Sequence, residues 1–411
     1  MSIASIQAKA IRTSLSNMTN MNMNITNVHA PHGRSLHEPS HGRNLHEHGK
    51  MLHVGFLLPL KKIAKMQTML DETLDNIIFI PIQLSMFTSH TVPHMDLFLH
   101  KLTHELTFAT FGLSTSHDLE AVTLYFDTHP EITIIDEIEK AGALIDRSNM
   151  YTSLQTLATS THLFHVPKFI VLGGLIKPPS IFNLMKQSMS TSIQDHDMHF
   201  PLICKTIPAS ATYHSHKMLV VGQDVNLEME LKALQPSSHE IGNNASHEND
   251  VHASSPHGHE KVFPILLQEY KDHDGIFYKC YRIGSSSHIA TRLSLPNLHH
   301  MSTDRSVFFD TQKPFPSYEA FDLQEPSLPH NDHSALLPPS AKVQQTIIAI
   351  GDLLERNFGL TLFGFDVIIE KGTKKVFVVD INYFPSYNEV DDFNELLRTH
   401  LHDVYDKSHT K

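Results

Sequence analysis

At 411 residues and 40% hydrophobic content, the chain is long enough for two or three lobes of ordinary domain size. Its formal net charge of −12 argues against a general nucleic-acid binder, which would need basic residues to neutralise phosphates, although a local basic pocket is compatible with it because fields are screened beyond about 10 Å. The longest apolar run, residues 77–84, holds Pro81 and Gln83 and is too short to span a membrane, and Cys204 and Cys280 support neither a disulfide framework nor a thiolate zinc site, so a soluble monomer in a reducing compartment is expected.

Many of the 33 histidines gather in residues 1–50 (His29, His32, His37, His41, His46, His48) and 235–261 (His239, His247, His252, His257, His259). Both stretches are rich in Ser, Asn, Gly and Pro and lack apolar periodicity, so they read as solvated disorder; the alternative is a zinc- or nickel-binding tract. Residues 1–37 contain no acid and carry Lys9, Arg12 and Arg34, which fits a disordered tail or an organelle transit peptide.

From Met51 the pattern alternates. Strands are expected over 52–60, 77–84, 96–103 and 131–135, and helices over 61–74, 116–128 and 136–147, which implies a mostly parallel, open sheet in a lobe spanning 51–147. A second unit, 148–267, should hold helices at 151–161, 181–190 and 225–234, strands at 200–206 and 217–221, and the histidine-rich insert in a loop. The third, 268–406, continues a strand over 263–270 with strands at 276–283 and 288–295, a loop at 302–339, a helix at 341–357, strands at 364–370 and 375–381, and a helix at 389–406.

The last two strands carry the most informative residues. Asp380 and Asn382, two apart, share one strand face, and a hairpin lets Asp366 face them. Two carboxylates and an amide oxygen suit a hard cation such as Mg²⁺ bound to phosphate; a polar outer hairpin face is the plain alternative, opposed by the apolar run 376–379, which makes an ionised Asp380 costly without a cation or donor. Leu362-Phe363-Gly364-Phe365-Asp366, followed by Asp380-Ile381-Asn382-Tyr383-Phe384-Pro385, resembles the inositol-tetrakisphosphate 1-kinase (inositol 1,3,4-trisphosphate 5/6-kinase) family, whose members have an ATP-grasp fold. The resemblance spans about residues 52–405. It implies an α/β pre-grasp domain with an open parallel sheet, a central grasp subdomain, and a C-terminal grasp subdomain carrying the metal site. The implied reaction is magnesium-dependent transfer of the ATP γ-phosphoryl group to an inositol tris- or tetrakisphosphate in the cytoplasm or nucleus.

On that resemblance Asp366, Asp380 and Asn382 bind magnesium, as two ions. Lys205, at the end of the apolar run 201–206, falls on an ATP-phosphate lysine; in isolation it reads equally as a snorkelling edge residue. Gln268, Glu269 and Tyr270 fall on the adenine-binding stretch, and Lys279 on a residue reaching phosphate. Arg147, in Asp146-Arg147-Ser148, matches an ATP-binding arginine, although alone it reads as a charge at a helix C-terminus. Arg292 and Ser294 match a further phosphate-side strand. For the acceptor, the resemblance points to Lys62 in Lys61-Lys62-Ile63, to His216 in Ser215-His216-Lys217-Met218, and to Lys279, Asn382 and Ser386. A solvated basic face and a surface histidine are the plain alternatives for the first two. This chain departs from the family at Ser386, where glycine is usual, at Lys217, which replaces an acid, and in the loop 206–214, one residue longer, with Ser210-Ala211 in place of His-Gly. An ATP-grasp carboxylate–amine ligase would share the metal site, and a catalytically inactive histidine-rich metal binder is the rival from another class.

Overall fold

The computed structural model describes residues 50–112, 117–173, 193, 195–210, 213–234, 263–324 and 337–409. The tail up to residue 49, the insert 235–261 and the helix expected at 181–190 lie outside the described residues. In chain order the strands are β1 (Leu52–Leu57), β2 (Ile77–Pro81), β3 (Leu97–His100), β4 (Thr133–Ile135), β5 (Phe169–Leu172), β6 (Leu202–Thr206), β7 (Lys217–Val221), β8 (Ile265–Glu269), β9 (Ile276–Ile283), β10 (Ser286–Leu293), β11 (Ser306–Asp310), β12 (Leu362–Ile369) and β13 (Val376–Tyr383).

They form three sheets among the described residues. The first, in the order β2-β1-β3-β4, is parallel throughout, and its strands are largely apolar because helices cover both faces. The helix Leu60–Asp71 shows how: Ile63, Met66, Met69 and Leu70 recur on one stripe and are buried. The other two sheets are antiparallel, in the orders β11-β7-β6-β8-β5 and β10-β9-β12-β13.

One apolar core runs from the first sheet into the third, joining Ile63 and Leu97 to Leu354, Phe365, Val378 and Leu397. The middle sheet keeps its own, around Leu202, Leu219 and Leu267. Two polar devices fasten the first lobe to the third. Arg398, on the last helix, donates to the carbonyl of Met69, in the last turn of Leu60–Asp71, and to those of Glu72 and Leu74 just beyond it. Asp136 accepts from the amides of Thr361 and Leu362 and from the Thr361 hydroxyl, and burial pushes its pKa up to about 6.

The expected helix over 136–147 is two pieces. A short helix, Ile138–Gly142, stops, and a new one, Arg147–Thr161, begins because the Asp146 carboxylate accepts from the amides of Ser148 and Asn149. The last helix starts at Phe393 rather than 389, since residues 384–390 are held in a turn with Phe384 and Tyr387 at positive φ. Strand β11 lies within the stretch expected to be loop, and β5 was not expected; each is an outer strand of the middle sheet. None of the described helices is long and apolar enough to cross a membrane.

Candidate active site

Strand register builds the site. Lys279 on β9, Asp366 on β12 and Asp380 on β13 stand directly opposite one another, with Lys279 Nζ 2.7 Å from Asp366 Oδ1. Asn382 is two residues beyond Asp380 and donates through Nδ2 to Asp380 Oδ2 at 2.8 Å. Burial raises the Asp366 pKa, Lys279 opposes the rise, and the nearby Asp380 charge adds to it. Two facing carboxylates that repel, completed by an amide oxygen, fit a hard divalent cation, which would relieve the repulsion.

A β-bulge follows Asp366. Val367 pairs with Val378, so Val379 is the extra residue and its carbonyl leaves the ladder. That carbonyl accepts from the Tyr151 hydroxyl and, at 3.4 Å, from the Lys205 ammonium, which ties the middle sheet to β13.

Lys205 is buried on β6, with Nζ 2.8 Å from Gln268 Oε1 and 2.9 Å from the Tyr151 oxygen. Burial pushes its pKa down to about 8, against the pull of Asp380 and Asp366. Glu269 accepts from the His199 amide and pairs with Lys271 at 2.9 Å. The Tyr270 hydroxyl donates to the carbonyls of Leu295 and Pro296, and the Ser294 hydroxyl is 2.7 Å from His273 Nε2. Arg292 is paired with Glu389 and donates to the Tyr281 hydroxyl. The Nη atoms of Arg147, the residue expected at ATP, are engaged with backbone carbonyls. They donate to the carbonyls of Thr206, Pro208 and Ser215, clamping both ends of the loop after Lys205, while its buried Nε has no partner.

On the first-lobe side, Lys62 Nζ donates to the carbonyls of Phe384 (3.3 Å) and Pro385 (2.7 Å), and Lys101 Nζ to Phe384 at 3.0 Å. Lys65 reaches Asn388 Oδ1 at 3.0 Å. Burial drives the Lys62 pKa well down, and repulsion from Lys101 and Lys65 adds to it; burial and Lys65 push Lys101 down to about 8. Phe384 holds φ at 41°, a left-handed conformation unfavourable for an aromatic residue, and its ring lies 3.6 Å beneath Lys62 Nζ. Gly364 permits this turn: a Cβ there would stand 3.0 Å from Pro385. Ser386 follows, exposed. His216 is half-buried, and burial lowers its pKa, with Arg147 adding to the fall and Asp310 and Asp380 opposing it.

A family model described as the inositol 1,3,4-trisphosphate 5/6-kinase ATP-grasp domain matches residues 240–403. An inositol-tetrakisphosphate 1-kinase of Danio rerio is 28% identical over 360 residues, covering 85% of this chain and 78% of the relative. Inositol-tetrakisphosphate 1-kinase 1 of Oryza sativa subsp. japonica is 26% identical over 359 residues, covering 85% and 83%. Over these stretches the chain is similar to inositol 1,3,4-trisphosphate 5/6-kinases. Among solved structures it is similar to an ADP complex of N5-carboxyaminoimidazole ribonucleotide synthetase (TM-score 0.49, 8% identity, 87% of this chain and 77% of the other) and to a D-alanine–D-alanine ligase of Bacillus anthracis (0.47, 10%, 87% and 96%).

Sequence reasoning missed Lys101, Tyr151 and the Phe384 carbonyl. Lys101 had a signal. It follows β3 as Lys61 and Lys62 follow β1, and groups beyond the carboxyl ends of parallel strands share one edge of the sheet.

Proposed function

We propose that the chain transfers the γ-phosphoryl group of ATP to a hydroxyl of an inositol tris- or tetrakisphosphate, with two Mg²⁺ ions held by Asp366, Asp380 and Asn382. The observation that carries this reading is the convergence of Lys62 and Lys101 on the turn directly after Asp380 and Asn382. Their partners there are neutral carbonyls, so the cluster's charge is left for an anion, beside the strand that would hold the nucleotide's metal.

When bound, magnesium neutralises charge on the transferring phosphoryl oxygens. The chain's own residues supply position. Lys205 would exchange Gln268 and Tyr151 for phosphate oxygens, and Lys279, whose partner Asp366 would help hold the cation, would reach phosphate. Backbone groups of 268–270, with the Gln268 side chain, receive adenine, and Arg147 shapes the loop that carries His216. Arg292 and Ser294 border the phosphates. Lys62, Lys101, His216 and Ser386 orient the acceptor, with Lys279 and Asn382 shared between substrates. A loose transition state is served by such alignment and charge neutralisation rather than by covalent catalysis.

The test is incubation with ATP, Mg²⁺ and a panel of inositol tris- and tetrakisphosphates, with products resolved by position. Formation of ADP in step with a phosphorylated inositol, with no amine present, is expected. Turnover only with a carboxylate and an amine would assign a ligase instead.

A further inference from the structure

The first sheet carries a second cluster at its other edge. Lys62 and Lys101 lie beyond the carboxyl ends of β1 and β3, whereas His53 is near the start of β1, and His94 and Asp96 immediately precede β3. β1 has six residues, so the two edges are roughly 20 Å apart at about 3.3 Å per residue. Nothing bound at the starting edge would touch the acceptor site.

A ring nitrogen of His53, one of His94 and a carboxylate oxygen of Asp96 all lie within 4.8 Å of one another. Asp96 is buried and held in place: its Oδ2 accepts from the His53 amide at 2.8 Å and lies 3.5 Å from His53 Nδ1. Donor atoms around a tetrahedral ion with bonds of about 2.0–2.1 Å stand about 3.4 Å apart. The His53–Asp96 pair already has that spacing, and the exposed His94 closes the rest by rotating its own side chain. We infer that His53, His94 and Asp96 form a three-ligand site for a divalent transition metal, with water completing the coordination. Two imidazoles select Zn²⁺, Ni²⁺ or Cu²⁺ over Mg²⁺, which prefers all-oxygen ligands, so this site and the Asp366–Asp380 pair would not compete for one ion.

Lys50 bears on this reading. Its ammonium, largely exposed and also donating to the Tyr405 hydroxyl, lies 3.3 Å from Asp96 Oδ1 and is a counter-ion to the carboxylate the metal would use. Metal and ammonium therefore compete, and removing the ammonium strengthens metal binding. The bound ion ties the start of β1 to the loop ahead of β3.

The experiment uses the full chain and reads melting temperature against zinc concentration, with Mg²⁺ as the control, because an ion that binds the folded state raises the melting temperature. Zinc should stabilise the wild type. His53→Ala and His94→Ala should each weaken the zinc response at least about tenfold in concentration, as loss of one ligand requires, and Lys50→Ala should shift it to lower zinc. All other histidines are common to every variant, so differences isolate this site. Neither substituted histidine is buried, and unchanged magnesium-dependent turnover confirms that the variants fold. A wild type unaffected by zinc, a full zinc response in both histidine variants, or its loss in only one of them would overturn the three-ligand site.

Discussion

The metal strand and the lysine cluster treat charge in opposite ways. Along β9, β12 and β13 an ammonium meets a carboxylate at 2.7 Å, with a second carboxylate beyond it. At the Phe384–Pro385 turn the ammonium groups of Lys62 and Lys101 share only neutral carbonyls and repel one another. The first arrangement is ready to accept a cation and the second an anion. The second follows the first directly in the chain, so on the proposed reading the acceptor's phosphates and the nucleotide's metal would be brought together by neighbouring residues. The largest test removes a charge from the first arrangement. Asp380→Asn keeps size and shape but should lower turnover on the order of 10²- to 10³-fold, the scale of losing one positioned electrostatic contact at a reacting group. Wild-type turnover at saturating Mg²⁺ would break the contrast.

How legible these regions were follows from how each is built. Asp380 and Asn382 are two apart on one strand, so period-two alternation aligned them, whereas Asp366 faces Asp380 only because of the bulge, an unbroken ladder putting it opposite Val379. The bulge that frees the Val379 carbonyl leaves no mark in that alternation, because it is one added residue in an unbroken apolar run. The lysine cluster is assembled from residues 62, 65, 101 and 384–388, and distant segments leave no local pattern. Asp146 could have been read as a cap, with Ser148 and Asn149 following, but helix-compatible residues on both sides hid the break. Outer strands β5 and β11 are paired on one side only and are short, so little in their sequence separates them from loop.

Removing one lysine at a time tests the second arrangement. Lys62→Ala and Lys101→Ala should each raise acceptor KM about 10- to 100-fold, the loss of one charge-assisted contact of roughly 1.5–3 kcal/mol, and leave ATP dissociation unchanged. Because the two ammonium groups repel, each single substitution also relieves the remaining lysine, and the double variant should lose more than the sum of the single effects. A fall in ATP affinity with acceptor KM intact would move Lys62 to the nucleotide side.

The same repulsion has a pH signature. Lys101 titrates near 8 in the folded chain, below the 10.5 of a free lysine, and Lys62 is lowered too. In that window the unfolded chain binds more protons, so these two groups contribute stability that rises with pH from about 8 to 10.5. Anion binding needs the protonated forms, and acceptor affinity should therefore fall above pH 8, by up to about tenfold per pH unit for each proton that must be taken up. The measurement is the rise in melting temperature caused by an inositol polyphosphate without ATP, followed from pH 7 to 9.5. A pH-independent rise would mean that the lysines do not carry the acceptor's charge.

The smallest effect is expected where the two arrangements are joined. Tyr151 donates to the bulge carbonyl of Val379 and accepts from Lys205 at 2.9 Å, linking the nucleotide lysine to the metal strand. Tyr151→Phe deletes one hydroxyl and keeps the ring packed against Phe169, with which it is tilted at a centroid distance of 5.3 Å. Lys205 is already 3.4 Å from the Val379 oxygen and keeps Gln268 as its acceptor, so neither buried group is left without a partner. The cost should be about 1 kcal/mol of stability, a typical net hydrogen bond, where stranding a buried carbonyl would cost up to about 3 kcal/mol. ATP affinity should stay within a few-fold, because phosphate oxygens would replace the Tyr151 contact to Lys205 in any case. Lys205→Met in parallel should abolish most ATP binding. Equal losses of ATP binding in the two variants would make Tyr151 a nucleotide contact and the bulge part of the ATP site rather than a fastening between sheets.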